Sequence, residues 1–328
     1  LGIEQQPSPL QQMDPRIRRE RTFAALKKLF FRESLNQPLI LIFEDLHWID
    51  SETQGFLDTL SEGVASARIL LLVNYRPEYR HEWGQKTYYT QLRLAPFGKA
   101  EAEEFLTFLL GHDPTLATLR QQILAKTEGT PFFMEEVVQT LAEEGVLSGN
   151  RGQYQLTPHI STQHVGTLQL PTTVQGVLAA RIDRLAPDEK ALLQQLAVIG
   201  REFPLGLVRR VIAQPEDELH RLLASLQHKE FLYEQPAVPE VEYLFKHALT
   251  QEVAYTSLLI ERRKTLHEQT AQAMEQLYKD NVDEHYSDLA RHYSRSGNAA
   301  KAVEYLSLAG QQAARHSAHA AAINYYTT

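Results

Sequence analysis

Two unbroken apolar runs of five residues, Leu39-Ile-Leu-Ile-Phe43 and Ile69-Leu-Leu-Leu-Val73, constrain this chain more than any other feature. Each is too short for a helix, and neither alternates apolar with polar residues, so both read as strands buried on both faces. Phe23, Leu26 and Phe30 recur at helical spacing before the first run, and Phe56, Leu57 and Leu60 do so between the two. The order helix, strand, helix, strand predicts an α/β layer with a parallel sheet covered by helices, in which functional groups gather at the carboxyl ends of the strands.

From Lys99 onward the strand signals stop. Ala102, Phe105, Leu106, Leu109 and Leu110 mark one helix, Leu119, Ile123 and Leu124 a second, and a third follows Pro131. Residues 148–169 are rich in Gly, Ser, Thr, His and Gln without helical periodicity, which predicts a linker. Val174 to Leu185, Glu189 to Ile199, Leu205 to Ile212 and Glu216 to Leu226 read as four helices. Phe231 to Tyr233 and Val241 to Phe245, around Pro236 and Pro239, then read as a hairpin, the pattern of a winged helix. The remainder from Leu249 is helical.

With 328 residues the chain has room for two or more domains, and 43% hydrophobic with 23% charged residues is ordinary globular composition. A net charge of −8 argues against a protein that coats nucleic acid, which needs clustered Lys and Arg over phosphates. The absence of cysteine excludes disulfides and thiolate metal sites and fits a cytoplasmic protein. The longest apolar runs fall short of the roughly 18 residues that a membrane span requires, so no membrane partner is expected. The chain opens at Leu1 rather than Met and stops at Thr328 within an Ala-rich helical pattern, so it is expected to be a piece of a longer protein.

The chemistry-bearing segment is Glu44-Asp45-Leu46-His47-Trp48, where the first strand emerges. Two carboxylates there suit a nucleoside triphosphatase, one acid holding Mg2+ and the other orienting the attacking water. The plainer reading is an acid pair that ends a surface strand. His47 and Trp48 read as a helix-start histidine and a core indole, and Asp50 with Ser51 as a cap for the next helix. Arg76, just past the second strand, either reaches a phosphate or is a solvated arginine before Pro77. Gly129, Thr130 and Pro131 are ordinary for a helix start.

The whole run from Leu39 to Asp50 resembles the Walker B segment of AAA-like STAND ATPases, signalling proteins that include cyclase-associated members. The resemblance implies Glu44 in the magnesium-side position and Asp45 as catalytic acid, both near the metal. It implies Arg76 at the sensor 1 position and Gly129 and Pro131 in the Gly-x-Pro motif of the lid, beside the nucleotide base. ATP and Mg2+ are the implied cofactors. No Gly-x-x-x-x-Gly-Lys-Ser/Thr phosphate loop occurs in the chain, so these residues alone are expected to bind ATP poorly. Phe245, Lys246, His247 and the Val253-Ala254-Tyr255 stretch match the usual ending of the family's winged-helix region. Leu289, Ala290, Tyr293, Ala302, Leu306 and Ala309 fall on a tetratricopeptide pattern, or else on an unrelated helical hairpin.

The implied organisation is a partial P-loop NTPase core followed by all-α elements. It comprises the end of an AAA-like core at 1–97, a helical lid at 98–147, a linker at 148–169, a winged helix at 170–266 and tetratricopeptide-like repeats from 267. The expected function is an ATP-binding and ATP-hydrolysing regulatory switch of a multidomain signalling protein, with a cyclase association favoured. Nucleotide, and proteins bound through the repeats, are the expected partners; nucleic acid is not. The alternatives are a non-hydrolysing scaffold built on the repeats, and an ATP-dependent transcription regulator.

Overall fold

A computed structural model describes residues 13–158, 170–212, 214–237, 240–316 and 318–328. The opening tail, the second half of the expected linker and Pro239 of the expected hairpin lie outside the described residues. The protein is mostly helical, and its contacts divide it into two compact units. One comprises Leu1–Arg93 with Asp283–Ser294 and Asn298–Thr328; the other comprises Leu94–Val282 with Arg295–Gly297. No helix among the described residues is long and apolar enough to cross a membrane.

The first unit begins with α1 (Pro15–Asn36), opened by Asp14, whose side chain accepts the Arg16 N–H at 2.9 Å, with Pro15 in the first turn. β1 (Leu39–Phe43) and β2 (Ile69–Val73) pair in parallel, Leu39 opposite Ile69 through to Phe43 opposite Val73. Between them lies α2 (Ser51–Ser61). The fully buried Leu57 and Leu60 of α2 pack with Phe30 and Phe31 of α1 against Leu41, Phe43, Leu71 and Val73.

Both helices therefore use the same face of the sheet, and this corrects the expectation of strands covered on both sides. Ile40 and Ile42 are 65% and 59% exposed, and their partners Leu70 and Leu72 57% and 49%. Among the described residues the sheet has two strands, so the α/β layer extends no further than this pair.

The same unit contains α12 (Tyr286–Ser294), α13 (Ala299–Arg315) and α14 (His319–Thr327). Leu289 and Ala290 are fully buried, and the Tyr293 and Tyr305 rings stack at 5.4 Å. A Cβ on Gly310 would lie 2.8 Å from the Tyr326 ring, so the approach of α14 to α13 depends on a residue without a side chain there.

In the second unit α3 (Lys99–Leu110), α4 (Ala117–Thr127) and α5 (Pro131–Glu143) enclose a core that includes Leu106, Leu110, Leu119, Ile123, Met134 and Val137. The described part of the expected linker contains a short antiparallel hairpin, β3 (Leu147–Ser148) with β4 (Gln155–Leu156). Strands of two residues are too short to leave an alternation in sequence.

Beyond it come α6 (Val174–Asp183), α7 (Pro187–Ile199), β5 (Glu202–Pro204), α8 (Leu205–Val211), α9 (Glu216–His228), β6 (Leu232–Gln235) and β7 (Glu242–Phe245). The three strands form an antiparallel sheet in the order β5-β7-β6. α10 (Ala248–Thr256) and α11 (Ile260–Leu277) complete the unit.

Candidate nucleotide-facing site

The register of β1 and β2 determines what stands at their carboxyl ends. Both strands are five apolar residues long and start level, so the first polar residue after each, Glu44 and Asn74, stand opposite one another. The ladder continues past the strands: the Asn74 N–H donates to the Phe43 carbonyl at 3.1 Å, and the Leu46 N–H donates to the Asn74 carbonyl at 3.0 Å. The Asn74 side chain completes the junction. Its Oδ1 accepts the Asp45 N–H at 2.7 Å, and its Nδ2 lies 3.4 Å from Glu44 Oε1 as donor.

Asp45 has φ 55° and ψ 42°, the left-handed region, which short polar side chains tolerate better than most. This reversal leads into a 3-10 turn, Leu46–Trp48, anchored by Leu46 at 1% exposure. Asp50 then caps α2, its Oδ1 accepting from Glu52 N–H at 2.7 Å and Thr53 N–H at 2.8 Å. Burial alone would raise the Asp50 carboxyl; the hydrogen bonds from Thr53 and Glu52 outweigh it and hold the group below the usual carboxylate range.

Trp48 is not the core indole expected of it. Its ring is 56% exposed, with the Arg76 guanidinium 5.6 Å from its centroid, a cation–π arrangement. The buried indole of this unit is Trp83. Both ring nitrogens of His47 are buried without a hydrogen-bond partner among the described residues, and its ring lies 4.6 Å from that of Trp48.

Arg76 opens a loop held on α2 by an aromatic clasp. His81 Nδ1 accepts the Trp83 N–H at 3.2 Å, so its proton sits on Nε2, which donates to the Tyr75 hydroxyl at 2.9 Å. The hydroxyls of Tyr75 and Tyr89 are 2.5 Å apart. Trp83 Nε1 donates to Asp58 at 2.7 Å, and the Tyr79 hydroxyl donates to Gln54. Burial lowers the His81 imidazole against the opposing pull of Asp58, and burial with the neighbouring Tyr75 pushes Tyr89 up to about 12.

Gly129 and Pro131 lie in the second unit, at the start of α5. The Phe97 N–H donates to the Gly129 carbonyl at 2.8 Å, and Gly129 has φ 75°. A Cβ there would come within 2.2 Å of the Phe97 carbonyl oxygen, so this strand-like contact requires glycine. Pro131 occupies the first turn, and Thr130 makes no side-chain cap. The structure thus brings Glu44, Asp45 and Asn74 together, with Arg76 on Trp48 in the same unit.

Asn74 is the residue to which sequence reasoning gave no role. Its signal was available in the equal length of the two apolar runs, which sets Asn74 level with Glu44. Among the described residues no group of three or more His, Cys, Asp or Glu side chains is arranged to hold a metal.

No family model matches the chain. An uncharacterised protein of Rhizobium meliloti (strain 1021) is 26% identical over 314 residues, covering 93% of this chain and 29% of the relative. The chain therefore spans less than a third of the length of the curated relative it matches. Among solved structures, a Signal Transduction ATPase with Numerous Domains (STAND) protein with a tetratricopeptide repeat sensor, from Pyrococcus horikoshii, aligns over 92% of this chain and 50% of its own at a TM-score of 0.50. The identity in that alignment is 12%, so the likeness is one of fold: the chain folds like a large part of a STAND protein.

Proposed function

We propose that this chain is the downstream part of an ATP-dependent STAND-type switch in a longer signalling protein. The observation that carries the reading is the junction at the carboxyl ends of β1 and β2, where Glu44 and Asp45 are held by Asn74 on parallel strands. In α/β proteins this edge is where ligands bind. Glu44 would hold Mg2+ with Asp45 beside it, and the metal would neutralise charge on the transferred phosphoryl group. Asp45 would orient the attacking water and Arg76 would meet phosphate charge, released from Trp48 to do so. The phosphate-binding amides and lysine would come from outside these residues.

In this reading residues 170–266 form a winged-helix arm, a reading supported by the element order α7-β5-α8-α9-β6-β7 and the three-stranded antiparallel sheet. The helix that would face DNA in such a module, α9, opens with Glu216, Asp217 and Glu218, which would repel phosphates. An arm that packs against protein fits that surface better than a transcription module does. α12 to α14 would begin a repeat array for protein partners. A cyclase output rests on the resemblance of the Glu-Asp-Leu-His-Trp form, together with this style of winged helix, to cyclase-associated members.

The deciding experiment uses the full-length protein encoded by the gene. ATP binding and hydrolysis are compared between wild type and a Glu44→Gln, Asp45→Asn variant. The expected result is retained binding with hydrolysis reduced by about 10²- to 10⁴-fold. Undiminished turnover would remove the acid pair from the mechanism, and a wild type that binds no ATP would favour the scaffold reading.

A further inference from the structure

We infer that Asn74 is the positioning residue of the acid pair, its side chain fixing the turn from which Glu44 and Asp45 project before any nucleotide arrives. This inference rests on the switch reading above. Its basis is that every polar group of Asn74 is engaged by residues 43–46. The backbone N–H and carbonyl bond Phe43 and Leu46; side-chain Oδ1 and Nδ2 bond Asp45 and Glu44.

The two side-chain bonds are unequal. At 2.7 Å the Asp45 contact is a full hydrogen bond, whereas 3.4 Å to Glu44 is at the limit. The shorter one acts on the residue that most needs restraint. A left-handed backbone costs an L-residue, Asp less than most, about as much as one net hydrogen bond returns. The terms are comparable, so the Asn74 bond is large enough to decide whether Asp45 keeps that conformation. Because Asp45 reverses the chain immediately after Glu44, its backbone angles set the separation of the two carboxylates.

An amide is required for both bonds at once: aspartate at position 74 would keep the acceptor and lose the donor, and alanine would lose both. The backbone bond from Leu46 to the Asn74 carbonyl would survive either change. This gives the test an internal control.

Residue-resolved hydrogen exchange on the full-length protein, with Asn74→Ala and Asn74→Asp, reads the bond from the Asp45 amide to the Asn74 side chain. In Asn74→Ala the Asp45 amide is expected to exchange about tenfold faster, while the Leu46 amide and those of Leu57 and Leu60 keep their rates, showing a folded unit. In Asn74→Asp the Asp45 amide stays protected. ATP hydrolysis by Asn74→Ala is expected to fall about a hundredfold in kcat with KM little changed, as for a displaced catalytic group. An unchanged Asp45 amide in Asn74→Ala overturns the inference while leaving the switch reading to the acid-pair variant. A released amide with undiminished kcat overturns the positioning role, and a wild type without ATPase activity overturns the switch reading and this role with it.

Discussion

Arg181 and Glu136 are 45 residues apart in sequence and form an ion pair with both side chains almost wholly buried. The Arg181 guanidinium also reaches Glu143 at 2.7 Å and the Lys229 carbonyl at 2.9 Å, and lies 4.7 Å from the centre of the Phe231 ring. One side chain on α6 thus ties α5 to the turn before β6. Burial alone would lower the Arg181 guanidinium; its bonds to Glu143 and Glu136 outweigh this and raise it.

Removing one partner from such a pair leaves an uncompensated charge in the interior. Arg181→Met is therefore expected to destabilise the second unit by about 3–5 kcal/mol, measured by urea denaturation. The double change Arg181→Met, Glu136→Leu should recover part of that loss by removing the orphaned charge. A single variant as stable as wild type would contradict the tie.

The His81 clasp predicts a pH dependence in the first unit. Folding lowers the affinity of His81 for a proton, through burial and because Nδ1 is engaged as an acceptor. The folded state then binds fewer protons than the unfolded chain, so its stability is full above the unfolded value near 6.5 and falls as the pH drops below it. His247, whose ring is 4.1 Å from that of Phe132, is lowered mainly by burial and has the same sign in the second unit. Thermal unfolding followed through Trp fluorescence between pH 8 and 5 should show this loss. In His81→Gln the slope assigned to the first unit should fall, and an unchanged slope would remove the clasp from the account.

The open face of the β1-β2 pair predicts contrasting outcomes for adjacent residues. Ile42→Lys, on the open side, is expected to change stability by no more than about 0.5 kcal/mol and to reduce self-association in light scattering. Leu41→Ala, on the packed side, should cost about 2–5 kcal/mol. Equal losses at the two positions would mean that both faces are covered in solution.

These contrasts show what the amino-acid order reveals and what it withholds. The strands were legible because unbroken aliphatic runs end sharply at Glu44 and Asn74, and the acid pair because it stands where such a run stops. The exposed side was not: an unbroken run looks the same whether its second face is packed or open, since periodicity reports side-chain character and not the presence of a neighbour. Arg181 was hidden for a related reason. An arginine on an otherwise amphipathic helix reads as solvated, and only distant Glu136 and Glu143 explain its burial. Trp48 was misread because large aromatics are usually interior, and its cation partner lies 28 positions further along the chain.

The bonds that Asn74 makes with residues 43–46 also bear on how this part of the chain can change over evolutionary time. They join the two strand ends directly, without passing through α2 or the connection that follows it. Lengthening or shortening the exposed segment at Ala65 and Ser66, just past the core-packed Val64, would leave the acid-bearing turn with all of these bonds. Descendants of this sequence are therefore free to vary that segment in length, whereas loss of the amide at position 74 would act on the turn at once.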